Sequence, residues 1–170
     1  MIKTFLATSA LFLGLVSGSV SAHPDAEHSK DGHPVSDAKS AAHDDHASGL
    51  GEAGDASKVT RTMKVDMNDS MRFTPNRITI KRGETVKFIV KNSGKIKHEM
   101  VLGSIDELKE HAALMIKFPE MEHVDPNQIS VEPGKTGELV WKFTKAGKFD
   151  FACLQPRHFE AGMRGKIAVK

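Results

Sequence analysis

The chain has 170 residues with 24 Lys and Arg against 22 Asp and Glu, a formal net charge of +2, one tryptophan, no tyrosine and a single cysteine. One cysteine excludes an internal disulfide framework, and a near-neutral total excludes the strongly basic balance of a nucleic-acid surface. The charge is unevenly divided all the same: residues 23–58 carry three Lys against eight acids, net −5, while residues 59–170 carry 20 Lys and Arg against 14 acids, net +6. In the basic part the cations are scattered, without Arg clusters or interleaved aromatics, so no nucleic-acid partner is expected.

Residues 1–22 open with Lys3, run through the apolar stretch Phe5 to Val16 and end in Val20-Ser21-Ala22. This is the pattern of a signal peptide with a small-residue cleavage site, and it predicts export to the periplasm. No later stretch approaches the roughly 20 apolar residues that span a bilayer, so no membrane span is expected. From His23 to Lys58 the chain is Ala, Gly, Ser, Asp and His with almost no large apolar residue. Such a segment buries too little surface to offset its ordering entropy, which predicts a disordered, acidic, His-rich tail. Its histidines, His23, His28, His33, His43 and His46, are interleaved with Asp25, Glu27, Asp31, Asp44 and Asp45. Imidazoles on flexible chain capture Cu(II), Zn(II) or Ni(II) with low selectivity, so these are candidate accessory ligands; the other reading is a solubilising linker. Cleavage after Ala22 would add the amine of His23 to its imidazole.

Residues 59–170 have the length of one sandwich domain, and their pattern has period two. Met63, Val65 and Met67 alternate with Lys64 and Asp66, and Val86, Phe88 and Val90 with Lys87, Ile89 and Lys91. These read as half-buried strands of an all-β fold, with Met63, Met67 and Met71 as core fillers. Lys81-Arg82-Gly83-Glu84 and Glu132-Pro133-Gly134-Lys135 are turn signals, and Lys145-Ala146-Gly147-Lys148 separates Leu139-Trp141-Phe143 from Phe149-Phe151-Cys153. One interval breaks the pattern. Ser104-Ile105-Asp106-Glu107 has capping-box spacing and is followed by Leu108, His111, Ala112 and Met115 at helical intervals before Pro119, which predicts a short inserted helix. With the loop to Pro126 this excursion gathers His111, Met115, Met121 and His123. Thioethers suit Cu(I), so a second, labile copper site is one reading; core packing for Met115 and plain loop for Met121 and His123 is the other.

The segment from Cys153 to Met163 places the only cysteine, His158 and Met163 on one short loop, and the isolated His98 lies far upstream. In an oxidising compartment an unpaired cysteine is an intermolecular disulfide partner, a reactive thiol or a metal ligand. Thiolate, two imidazoles and a thioether make the set of a trigonal His₂Cys copper site with a long axial Met. Taken singly, His98 also reads as a turn histidine, His158 as a surface residue and Met163 as core. Their joint arrangement with the sole cysteine favours metal.

Lys97-His98-Glu99-Met100, the strand Phe149-Asp150-Phe151-Ala152-Cys153, and the loop ending in His158 and Met163 before Arg164-Gly165-Lys166-Ile167 resemble the cupredoxins, the plastocyanin and azurin family. The helix insertion, the segment from Met115 to His123 and the Pro-Arg-His-Phe-Glu-Ala-Gly-Met ending look most like periplasmic copper-tolerance cupredoxins of the CopI type. The resemblance spans nearly all of residues 59–170. It implies a Greek-key β-sandwich, cupredoxin-like, with one type 1 copper held by His98, Cys153, His158 and Met163. Arg157 departs from the small residue expected before a ligand histidine and alters the charge beside the metal.

Three functional classes follow. One is copper tolerance through binding, buffering or redox handling of copper ions. The alternative is a soluble blue or green copper electron carrier. Either predicts a periplasmic redox or copper-handling protein as partner, with a monomer as the default state. An enzyme is not expected, because Cys153 is flanked by Ala152 and Leu154, no His-x-His pair is present, and four protein ligands leave no open position on the metal.

Overall fold

The structure is a computed structural model and describes residues 49–121 and 124–170. In chain order its elements are β1 (Glu52–Ala53), a 3₁₀ turn (Ala56–Lys58), β2 (Arg61–Asn68), β3 (Arg72–Thr74), β4 (Arg77–Ile80), β5 (Thr85–Asn92), β6 (His98–Gly103), α1 (Ile105–Lys117), β7 (Gln128–Val131), β8 (Thr136–Lys142), β9 (Gly147–Ala152) and β10 (Arg164–Val169). They form two five-stranded sheets, ordered β1-β8-β5-β2-β3 and β4-β10-β9-β6-β7. Both are mixed, since β2 runs parallel to β5 and β4 parallel to β10.

The period-two pattern decides which side chains enter the core. Val65 and Met67 of β2 and Val86, Phe88 and Val90 of β5 are buried from the first sheet, and Ile78, Met100, Leu102, Phe151 and Ile167 meet them from the second. Each such burial contributes about 1.5–3 kcal/mol relative to exposure, so the space between the sheets is where the fold gains most of its stability. The expected turns form: Gly83 and Gly134 take φ of +88° and +72°, values that a side chain disfavours, and the amides of Glu84 and Lys135 close back on the carbonyls of Lys81 and Glu132.

The expected helix is present as α1. The Ser104 hydroxyl accepts from the Glu107 amide, and the Glu107 carboxylate accepts from the Ser104 amide at 2.7 Å, which satisfies both donors of the capping box. Leu108, Ala112 and Met115 share one helix face. They pack with Val101, Ala152, Leu154 and Phe159 in a second cluster on the outer side of the β6–β9 sheet. That cluster explains a departure from the half-buried pattern: every residue of β6 is buried, because Met100 and Leu102 face the sandwich interior while Val101 faces the helix.

Residues 49–58 correct the expected extent of the polar tail. Leu50 is buried in the main core, Glu52 and Ala53 pair with Lys142 and Trp141, and the Gly54 amide donates to the Val140 carbonyl at 3.0 Å. Glycine makes this close approach possible, since a Cβ at Gly51 would lie 2.0 Å from the Lys142 carbonyl oxygen. Composition averaged over the tail hides one leucine placed beside two glycines, which is enough to cover the edge of β8.

Candidate metal centre

Two strands deliver the site. On β6, alternation puts His98 on the same inner side as Met100 and Leu102; past the end of β9, Cys153 continues the inward row of Phe149 and Phe151. Since β6 and β9 are antiparallel neighbours, with Val101 opposite Ala152, these two residues meet at one end of the sandwich. The loop from β9 to β10 folds back on itself. The Cys153 amide donates to the Met163 carbonyl, the Met163 amide to the His158 carbonyl and the His158 amide to the Gln155 carbonyl, at 3.0, 3.0 and 2.9 Å. From the other sheet the Arg72 guanidinium donates to the carbonyls of Met71 and Ala161, tying the loop down from outside.

The result is a convergence of donor atoms. Cys153 Sγ lies 3.2 Å from His158 Nδ1 and 3.9 Å from His98 Nδ1, and one ligand atom from each of the three residues falls within 4.8 Å of the others. The two imidazole rings stand 5.0 Å apart at 50°. His98, Cys153 and Met163 are wholly buried, and His158 is half-buried. Met163 belongs to the same core cluster as Cys153.

Electrostatics at the site follow from burial. Burial first and the Glu99 carboxylate second, opposed by amide donors from Glu99 and Gln155, push the Cys153 thiol up to about 12. Burial, and then the neighbouring His98 imidazole, hold His158 below its ordinary value. Both shifts disfavour charge, so at neutral pH His158 is a neutral imidazole beside a sulfur held as a thiol.

The donor set fits copper. Donors held about 2.0–2.3 Å from a common ion stand about 3.5–4 Å apart, close to the spacing already present here. A thiolate with two imidazoles and a thioether suits an ion that alternates between Cu(I) and Cu(II).

The profile of the copper binding proteins, plastocyanin/azurin family, matches residues 59–170. The chain belongs to that family. Among curated proteins, this cupredoxin is 51% identical over 140 residues to the copper-resistant cuproprotein CopI of Rubrivivax gelatinosus, covering 82% of this chain and 85% of the relative. It is 35% identical to the copper-resistant cuproprotein CopI of Pseudomonas aeruginosa, covering 74% of this chain and 84% of the relative. Among solved structures, the reduced auracyanin of Roseiflexus castenholzii superposes with a TM-score of 0.57 at 18% identity, covering 66% of this chain and 98% of that one, a likeness of fold. The cupredoxin β-sandwich expected from the sequence is the fold observed.

The remaining candidates of the cupredoxin chain separate. Met115 is buried among Leu108, Ala112, Leu154 and Phe159, so its thioether has a packing role under the helix. His111 is half-buried on the same helix, and Met121 is exposed beyond its end. His123 and the tail histidines His23, His28, His33, His43 and His46 lie outside the described residues. Arg157 adopts φ +71°, a conformation that favours glycine, which gives a physical reason to expect a small residue there.

Two residues that the spacing of ligands does not single out border the centre. Asp69 Oδ1 sits 3.1 Å from His98 Nε2, and its other oxygen accepts the Lys95 amide at 2.8 Å. Glu99 is buried and accepts from the Leu154 amide at 2.9 Å and from Gln155 Nε2 and Ser130 Oγ at 3.2 Å each. Glu99 has a sequence signal, being an acid placed directly between His98 and the apolar run Met100-Val101-Leu102. Asp69 has none, since Asn68-Asp69-Ser70 reads as an ordinary turn and its proximity to His98 is a product of the sandwich.

Proposed function

We propose that this cupredoxin is an exported, periplasmic protein that contributes to copper tolerance by holding one type 1 copper through His98 Nδ1, Cys153 Sγ, His158 Nδ1 and the Met163 thioether. The observation that carries this is the convergence of two imidazole Nδ1 atoms on the only sulfur of a cysteine, at 3.2 and 3.9 Å, on a buried and hydrogen-bonded scaffold. Tolerance is favoured over other uses of copper by the two relatives above, both copper-resistant cuproproteins aligned over most of their own length.

Copper held there supplies a one-electron couple and a sink for the free ion. The chain's part is to present the donors in place. Cys153 gives up its proton on loading, His158 is already neutral, and His98 is oriented through its other ring nitrogen. Four protein donors leave no open position, so the reading is of binding and redox handling, without a substrate reaction. A carrier role for the same centre is favoured by His158, whose half-buried ring is the one ligand that meets solvent and hence a partner.

Growth on raised copper tests the reading. A deletion strain should be copper-sensitive, restored by the native chain and not by Cys153→Ser. Normal growth of the deletion strain would remove tolerance and leave the carrier.

A further inference from the structure

The two carboxylates beside the centre do different things from the ligands and sit on different elements. Asp69 follows β2 and faces His98 from the first sheet. Its position is built: a Cβ on Gly94 would lie 2.0 Å from Asp69 Oδ1, so glycine there makes room for the carboxylate, and the Lys95 amide holds its second oxygen. The oxygen facing His98 therefore accepts from Nε2–H, which leaves Nδ1, the nitrogen nearer Cys153 Sγ, bare and available.

Glu99 sits on the outer side of β6, directly after His98. Its three partners, the Leu154 amide, the Gln155 amide nitrogen and the Ser130 hydroxyl, all have a hydrogen to donate, which suits an acceptor-only, ionised carboxylate. Two of those partners lie on the ligand loop immediately after Cys153. An accepting carboxylate is thus held, at 6% exposure, against the backbone that carries Cys153.

Resting on the copper reading above, we infer that Asp69 and Glu99 are positioning residues that bias the bound ion toward Cu(II), giving the couple a low reduction potential. Cu(II) carries one more positive charge than Cu(I), and each carboxylate stabilises that charge: Glu99 through the low-dielectric interior, Asp69 by making the His98 imidazole more basic. The Glu99 amide, which donates to Cys153 Sγ at 3.4 Å, opposes this by stabilising the electron-rich sulfur, but it is backbone and survives substitution of the side chain. A low potential makes this centre a keeper of Cu(II) rather than a strong oxidant of Cu(I). That narrows what tolerance consists of here.

The test is a redox titration of the copper-loaded full chain followed on its visible thiolate band, comparing the native protein with Asp69→Asn, Glu99→Gln and the double variant. Glu99→Gln should shift the equilibrium toward Cu(I) on the order of tenfold, about 59 mV for one electron. Asp69→Asn should shift it the same way, and the double variant further than either. Unmoved or lowered potentials in variants that keep the band would overturn the inference. Absence of any band in the native protein would instead overturn the copper reading itself. If Glu99→Gln does not fold, Asp69→Asn carries the test, since the Asp69 side chain is 38% exposed and its loss leaves no buried gap. Nitrogen NMR of the metal-free chain adds a reading that needs no copper: His98 should carry its proton on Nε2, and a proton on Nδ1 would contradict the role given to Asp69.

Discussion

Cys153 and His158 show how one environment sets two opposite protonation tendencies. Burial disfavours the charged form of each, which raises a thiol and lowers an imidazole. For stability the signs differ. Because the folded thiol titrates near 12 and an unfolded one near 9.0, the metal-free protein is least burdened below pH 9 and loses stability as pH rises from there through 12. Because folded His158 titrates below 6.5, the unfolded chain takes up its proton first on acidification, and stability falls as pH drops from 6.5 toward the folded value. Urea midpoints across pH should therefore decline on both sides, and Cys153→Ala should flatten the alkaline decline; an unchanged alkaline limb would contradict the buried thiol. Loading has its own dependence. Displacing the Cys153 proton makes apparent copper affinity rise about tenfold per pH unit below the thiol's titration, measurable by competition with a chelator. Affinity independent of pH would mean that the thiolate is not a ligand.

At the scale of elements, much of the architecture is legible in the sequence. Alternation in Met63–Met67 and Val86–Val90 marks half-buried strands because a pleated strand exposes every second side chain, and Ser104 with Glu107 marks the helix start because those two groups satisfy each other's donors. Cys153, His158 and Met163 are legible as a set because a loop between adjacent strands brings its ends together. What sequence withholds is contact between distant segments. Asp69 reaches His98 across 29 positions, and Leu50 enters the core from a stretch whose average composition is polar. The hairpin that carries the loop makes a sharp demand of its own. Gly165 on β10 faces Phe151 on β9, and a Cβ there would lie 2.1 Å from the Phe151 ring. Gly165→Ala should cost about 1–3 kcal/mol by overpacking and loosen the row ending in Cys153. Denaturant unfolding reads the cost, and a variant as stable as the native chain would show that Phe151 has room to move.

The whole molecule joins a buried centre to an N-terminal stretch that divides into two parts. Residues 49–58 belong to the fold through Leu50, β1 and the Gly54 amide, whereas residues 23–48 carry the five histidines proposed as accessory ligands. Two truncations should separate these roles. Removing 23–48 should lower the copper bound per chain and leave both stability and the visible spectrum unchanged. Removing 23–58 should in addition destabilise the domain by roughly 2–3 kcal/mol, the loss of one buried leucine and a paired edge. Metal analysis and thermal melting of the two proteins distinguish them; equal stability would contradict the placement of Leu50 in the core, and unchanged stoichiometry would make the histidines a linker.

Copper held by one cysteine thiolate flanked by two imidazoles is tested most directly by the visible absorption spectrum of the Cu(II)-loaded chain beside that of Cys153→Ser. An intense thiolate-to-copper charge-transfer band should appear in the native protein and vanish in the variant. A band that survives the substitution, or that never appears, would contradict the Cys153 ligation on which everything else at this centre depends.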